Sequence, residues 1–222
     1  MKLLITLVAL LALPFSAPAQ DAVKRDHRQM HQLHRDSTAY IGILEDPQRD
    51  VYQKPHEILT ALAIKPGEVI ADVGAGSGYF TFRLAHHVGD KGKIYAVDVS
   101  PDMILHLNRR IRELKAMNVS SILADPDDPL LAEVSVNRFF FSNSWHHIEN
   151  QTRYLSLIKK ILKPGGEVIM IDFHKKELPV GPPMQMKIAR DDLVKQMEKN
   201  GFEITKEHTF LPYQYFLVFS PK

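Results

Sequence analysis

The chain has 222 residues, 45% of them hydrophobic and 24% charged, with 28 basic against 26 acidic side chains and no cysteine. That length suits one globular domain with a full central sheet and leaves little room for a second catalytic domain. A formal net charge of +2 gives no electrostatic case for nucleic acid, and the missing thiols exclude disulfides, cysteine nucleophiles and thiolate metal sites.

Residues 1–19 read as a secretory signal peptide: Lys2 opens it, an apolar run follows from Leu3 to Leu13, and Ala17-Pro18-Ala19 makes a small-residue cleavage site before Gln20. The apolar run is shorter than the ~20 residues a spanning helix needs. A cleaved leader is therefore expected, with a periplasmic or secreted mature chain and no stable membrane insertion. Residues 20–55 are polar and rich in His and Arg, and form a predicted N-terminal helical extension with Val23, Met30 and Leu33 on one face. On such a helix His27, His31 and His34 share a face that could hold a metal, but a solvated polar face is the commoner meaning and no metal site is expected.

The main domain is placed at residues 56–222, opening with a helix from His56 to Ile64. From Pro66-Gly67 onward short β-rich runs alternate with helical patterns, the signature of βαβ units. Predicted strands are Val69 to Val73, Lys93 to Val97, Ser121 to Leu123, Val136 to Phe141, Glu167 to Ile171, Phe202 to His208 and Tyr213 to Phe219. The clearest helices are Tyr79 to His87, Pro101 to Met117, Gln151 to Leu162 and Arg190 to Asn200. Only a short connection separates the last two strands, so they should form an antiparallel hairpin. The expected fold is α/β: a Rossmann-like, doubly wound, mostly parallel seven-stranded sheet with an antiparallel C-terminal hairpin and an N-terminal helical preface.

The strongest chemical signal is DVGAGSG at 72–78, between a strand and a helix. Gly74, Gly76 and Gly78 let the backbone turn tightly and approach a ligand, and Ala75 lies between them. After the next strand comes Asp98, about twenty residues on, where a carboxylate can accept both hydroxyls of an adenosine ribose. A dinucleotide fingerprint wants a third glycine where this chain has Tyr79, which argues against NAD. Asp72, ahead of the first glycine, suits the ammonium of an amino acid better than a pyrophosphate.

DVGAGSGYF, YAVDVS at 95–100 and LKPGGEVIMIDF at 162–173 resemble the class I S-adenosylmethionine (SAM)-dependent methyltransferases of the ubiquinone/menaquinone-methyltransferase-like group. The resemblance runs from about Asp46 to Lys222. Within it the chain is similar to exported bacterial methyltransferase-domain proteins that share Pro47, Arg49, Asp50, Gln53 and Pro55. It implies SAM as cofactor, with Asp72, Gly74, Gly76 and Gly78 cradling the methionyl part, Ala75 and Tyr79 beside it, and Asp98 on the ribose. Val99 and Ser100 would line the adenine pocket, Asp125 would meet the adenine amino group, and Asn143 would adjoin the cofactor.

Two further segments fall past strand ends, where open α/β sheets bind ligands. SNSWHHIEN at 142–150 brings Trp145, His146 and His147, and IDFHKK at 171–176 brings Asp172 and His174. His146, His147 and Asp172 are the candidate catalytic residues, because His can take a proton from an acceptor near neutrality; Trp145 and one His could instead cap a helix or pack over adenine. Lys175 to Met186, with three prolines and a glycine, is the candidate substrate-facing loop. The expected partner is a small-molecule methyl acceptor, and the alternative is a non-catalytic SAM-binding sensor or scaffold.

Overall fold

A computed structural model describes residues 37–222. Two short helices, α1 (Ser37–Leu44) and α2 (Arg49–Gln53), precede α3 (Pro55–Leu62), which opens the domain. Then β1 (Val69–Val73), α4 (Thr81–Val88), β2 (Lys93–Asp98), α5 (Pro101–Leu114), β3 (Val119–Leu123) and β4 (Val136–Ser142) alternate. A 3-10 turn (Trp145–His147), α6 (Gln151–Ile161), β5 (Leu162–Phe173), a second 3-10 turn (Met184–Met186), α7 (Arg190–Lys199), β6 (Phe202–His208) and β7 (Gln214–Pro221) complete the chain.

The seven strands form one sheet in the order β3-β2-β1-β4-β5-β7-β6. β1 to β5 are parallel, and β7 enters antiparallel between β5 and β6. The predicted Rossmann-like sheet and its C-terminal hairpin are both present. Strand order reverses between β1 and β4, which opens a crevice at their carboxyl ends.

Burial on both faces follows from period-2 alternation in strands covered by helices on each side. In β4, Phe139 and Phe141 join Tyr154 of α6, Leu193 of α7 and Leu217 of β7 on one face. Phe140 points the other way, to Ile58 of α3, Leu84 of α4 and Leu107 of α5. Local chemistry sets the helix starts: Pro101 follows Ser100, whose Oγ accepts from the Met103 N–H, and Asn150 accepts from the Arg153 N–H ahead of α6.

Several boundaries differ from the predicted ones. α4 starts at Thr81 rather than Tyr79, so the glycine loop runs two residues further. α5 ends at Leu114, where Lys115 turns left-handed at φ 51° and its N–H bonds back to Ile111 and Arg112 carbonyls; the freed residues let β3 begin at Val119. β5 starts at Leu162 rather than Glu167, because Lys163 to Gly166 stay extended through an irregularity against β4. Gly165, at φ 76°, makes that excursion possible. The predicted signal peptide and the His27, His31 and His34 face lie outside the described residues. Among the described residues no helix is long and apolar enough to cross a membrane, and no group of His, Asp or Glu is placed to hold a metal.

Phe139 is wholly buried at the centre of its face. Phe139→Ala is expected to lower unfolding free energy by about 3–5 kcal/mol, as ring-to-methyl truncations in packed cores do, measured by urea unfolding with the slope unchanged.

Candidate functional site

β1 delivers Asp72 into the crevice, and the loop after it turns through Gly74 (φ 72°), Gly76 (φ 55°) and Gly78 (φ 88°). The requirement for glycine is steric as well as conformational at Gly74, where a Cβ would stand 2.3 Å from the Ser144 Cβ. Ser144 holds its place by donating from Oγ to the Val73 carbonyl at 2.5 Å, tying the end of β4 to the end of β1. The Gly74 and Ala75 N–H groups bond the Val97 carbonyl at 2.8 and 3.1 Å, so the loop leans on β2.

Of the two predicted acidic residues, Asp72 opens this loop and Asp98, at the end of β2, meets its middle. Asp72 is buried, and its Oδ2 accepts from Thr81 Oγ1 at 2.6 Å. Burial pushes its carboxyl up to about 7, against the opposing pull of the Thr81 hydroxyl and the Arg49 cation. Asp98 accepts from the Gly76 N–H at 2.8 Å and the Ser100 N–H at 2.9 Å. Burial raises its pKa too, with those N–H groups and that of Val99 holding it back. A carboxylate has about four lone-pair sites, so two bonds leave capacity for ribose hydroxyls.

Past Asp98, Val99 and Leu123 are each about half exposed at the ends of neighbouring strands β2 and β3, an open apolar shelf that suits the face of a purine. Asp125 lies exposed just beyond, where its backbone bridges to Asp128. Tyr79 is buried; the Arg49 guanidinium sits 3.9 Å from its ring centre and its hydroxyl bonds Asp50. The chemistry of the cradle therefore fits SAM: a carboxylate for an ammonium, backbone in close approach, a carboxylate for a diol and an apolar shelf.

Past β4 and β5 the structure joins two of the three candidate catalytic residues. His146 Nδ1 lies 2.8 Å from Asp172 Oδ2, with both side chains nearly buried. Asp172 Oδ1 accepts from the Phe173 N–H at 2.8 Å, which fixes the carboxylate. A carboxylate can only accept, so Nδ1 carries a proton, and in the neutral ring the lone pair then lies on Nε2. His147 is exposed, its ring 4.2 Å from that of His146. His174 faces Tyr215 at 5.9 Å. Trp145 is core: buried, with Nε1 donating to Gln196 on α7 at 3.1 Å.

Asn143, expected beside the cofactor, turns its amide into a polar cluster. At φ 57° its Nδ2 donates to Gln53 Oε1 (3.2 Å) and its Oδ1 accepts from Gln214 Nε2 (2.6 Å). Gln53 and Gln214 are buried, and Gln214 Oε1 has no hydrogen-bond partner among the described residues. Nearby, Tyr52 packs on Phe173 and Tyr213 at 6.0 and 6.2 Å between ring centres. The predicted substrate-facing loop folds onto Phe173: a Cβ at Gly181 would meet that ring at 2.8 Å, and the buried Lys187 donates to the Lys176 carbonyl at 2.9 Å. Gln214, Tyr52, Lys187 and Thr81 escaped the sequence reading. Only Thr81 left a trace, a hydroxyl in the first turn of the helix that follows the loop.

The sequence profile of a methyltransferase-domain family, Methyltransf_31, matches residues 64–211, more than half of the chain. The chain belongs to this methyltransferase family. It is 28% identical over 152 residues to an arsenite methyltransferase of Halobacterium salinarum, covering 64% of this chain and 39% of that one. It is 24% identical over 127 residues to the ubiquinone/menaquinone biosynthesis C-methyltransferase UbiE of Shewanella sp., covering 57% and 50%. The chain thus spans about half the length, or less, of these curated relatives. A SAM-dependent methyltransferase from Aquifex aeolicus superimposes with a TM-score of 0.78 at 25% identity, over 82% of this chain and 96% of that one. S-adenosylmethionine is the cofactor of this family member.

Asp72 sets a pH dependence whose sign follows from its raised carboxyl. The unfolded chain releases this proton near pH 4, the folded one near 7, so folding retains a proton between those values. Its contribution to stability is whole below the lower value and lost as pH climbs to the upper one. Asp72→Asn should therefore gain stability relative to the parent as pH rises from 4 to 7, read as the difference in urea midpoints; parallel curves would show that Asp72 is not the group responsible.

Proposed function

We propose that the protein moves the methyl group of SAM to an oxygen or an acidic carbon of a small, ring-bearing acceptor, with His146 as the general base. The observation that carries this reading is the buried His146–Asp172 pair at the carboxyl ends of β4 and β5, with β4 lying directly beside the strand that delivers the glycine loop. Bound SAM supplies an activated methyl on a sulfonium, whose departure as a neutral thioether needs no acid. The protein's work is then to place the acceptor in line, keep water out and take one proton.

His146 performs the last task through Nε2, and Asp172 orients the ring and stabilises the imidazolium that forms. An amine acceptor that reaches the site already neutral has less need of a base, so the dyad favours a hydroxyl or an acidic C–H. Tyr52, Phe173 and Tyr213 supply an aromatic wall for a planar acceptor, and the linked amides of Gln53, Asn143 and Gln214 supply fixed polar contacts. A thiophilic arsenic acceptor would find no thiolate in a chain without cysteine, which favours oxygen or carbon. At the cofactor end, Asp72 takes the ammonium, Asp98 the ribose, and Val99, Ser100 and Asp125 the adenine side.

The test is S-adenosylhomocysteine release across a panel of phenols, hydroquinones and stabilised carbon acids. His146→Ala should cut kcat by roughly 10²–10⁴-fold with S-adenosylhomocysteine affinity unchanged, and Asp172→Asn should act in the same direction. Unaltered turnover in His146→Ala removes it as the base. Cofactor binding without turnover on any acceptor favours a sensor or scaffold.

Export belongs to the same proposal and rests on Lys2, the Leu3 to Leu13 run and Ala17-Pro18-Ala19. Expression of the full chain in a Gram-negative host should yield periplasmic protein whose N-terminal sequence begins at Gln20. Full-length protein confined to the cytosol would overturn it.

A further inference from the structure

We infer that Arg49, carried by α2 from outside the matched methyltransferase domain, is the anchor for the carboxylate of the cofactor's methionyl group. The family match begins at residue 64, so it assigns nothing to Arg49. This assignment rests on the cofactor reading of the glycine loop and deepens it.

Arg49 is a charged group held where charge is costly. Its guanidinium lies 3.9 Å from the centre of the Tyr79 ring and 5.9 Å from that of Phe80, with Nη1 donating to the Leu44 carbonyl at 2.9 Å. Burial lowers its pKa, opposed by Tyr52, Tyr79, Tyr40 and Asp72, which all lie close enough to act on its charge. Yet among the described residues it makes no ion pair within 4.0 Å. The adjacent carboxylate, Asp50, is engaged elsewhere, by Arg83 at 3.5 Å and by the Tyr79 hydroxyl. A half-buried guanidinium with no ion pair is completed by an anion, and four of its five N–H donors make no hydrogen bond to the described residues.

The position names the anion. Tyr79 directly follows Gly78, and Asp72 opens the same loop. An α-amino acid seated there presents an ammonium and a carboxylate on one carbon. Asp72 matches the first and Arg49 the second, with the planar fork that carboxylates accept bidentately. α1 and α2 are drawn over the loop by the same contacts. Leu44 stands where a Cβ on Gly76 would reach it at 2.9 Å, the Tyr40 hydroxyl feels the Asp98 charge, and Glu45 Oε1 lies 3.4 Å from His106 Nε2. Arg49 thus couples closure of this strap to the amino-acid part of the cofactor.

Calorimetry with the full chain tests this without any acceptor. The probes are S-adenosylhomocysteine and its decarboxylated analogue, which keeps the amine and the nucleoside. The unmodified protein should bind the analogue roughly 10- to 100-fold more weakly, the range of a charge-assisted contact. Arg49→Met should lose a similar factor for S-adenosylhomocysteine and almost nothing for the analogue, with Arg49→Lys between them. Equal binding of both probes by the unmodified protein overturns the anchor and leaves the cofactor standing, and needs no variant to fold. Equal weakening of both probes in Arg49→Met also overturns it, marking Arg49 as a packing residue. Binding of neither probe overturns anchor and cofactor together.

Discussion

Where β1 and β4 end side by side, backbone and side chain are packed as closely as chemistry permits. Gly74 passes Ser144 with no room for a Cβ, while the Ser144 hydroxyl reaches back to the Val73 carbonyl. This crossing lies at the point where strand order reverses, so it fixes the floor of the crevice for everything above it. The glycine loop can then lean on β2, the Asp98 carboxylate can hold the Gly76 N–H, and His146, two residues past Ser144, starts from a rigid base. A larger residue at either position would separate the cofactor cradle from the acceptor wall, because one contact sets the spacing of both.

The parts of this arrangement that sequence disclosed are those whose cause is local. Gly74, Gly76 and Gly78 announce positive φ through their composition, and Asp72 and Asp98 are located by strand ends that alternation reveals. The sheet and its terminal hairpin follow from the same periodicity. Strand boundaries fared less well at Lys163 to Gly166, because Pro and two glycines read as a turn although the chain runs on beside β4. Tertiary pairing overrode local propensity there.

Contacts between distant segments left no such trace. His146 and Asp172 were candidates individually, but only β4 lying beside β5 makes one a partner of the other, while His147 is exposed on the 3-10 turn. Gln53, Asn143 and Gln214 come from three separate stretches, and no spacing rule links an amide on α2 to one at the start of β7. Asn143, which the resemblance sets beside the cofactor, has a left-handed backbone that turns its amide toward the other two.

Tyr79 carries more than the absence of a third glycine. A glycine there would free the loop for a pyrophosphate, whereas the tyrosine fills the position with a ring that supports a guanidinium and a hydroxyl that engages Asp50. Arg83, one turn along α4, stacks on the same ring at 4.1 Å and pairs with Asp50. One side chain at the loop's end therefore binds α2 to the domain by its edge and its face together. The residue that removes the dinucleotide reading is the one that builds the strap, since the Arg49 guanidinium, brought in on α2 from outside the sheet, rests on the Tyr79 ring.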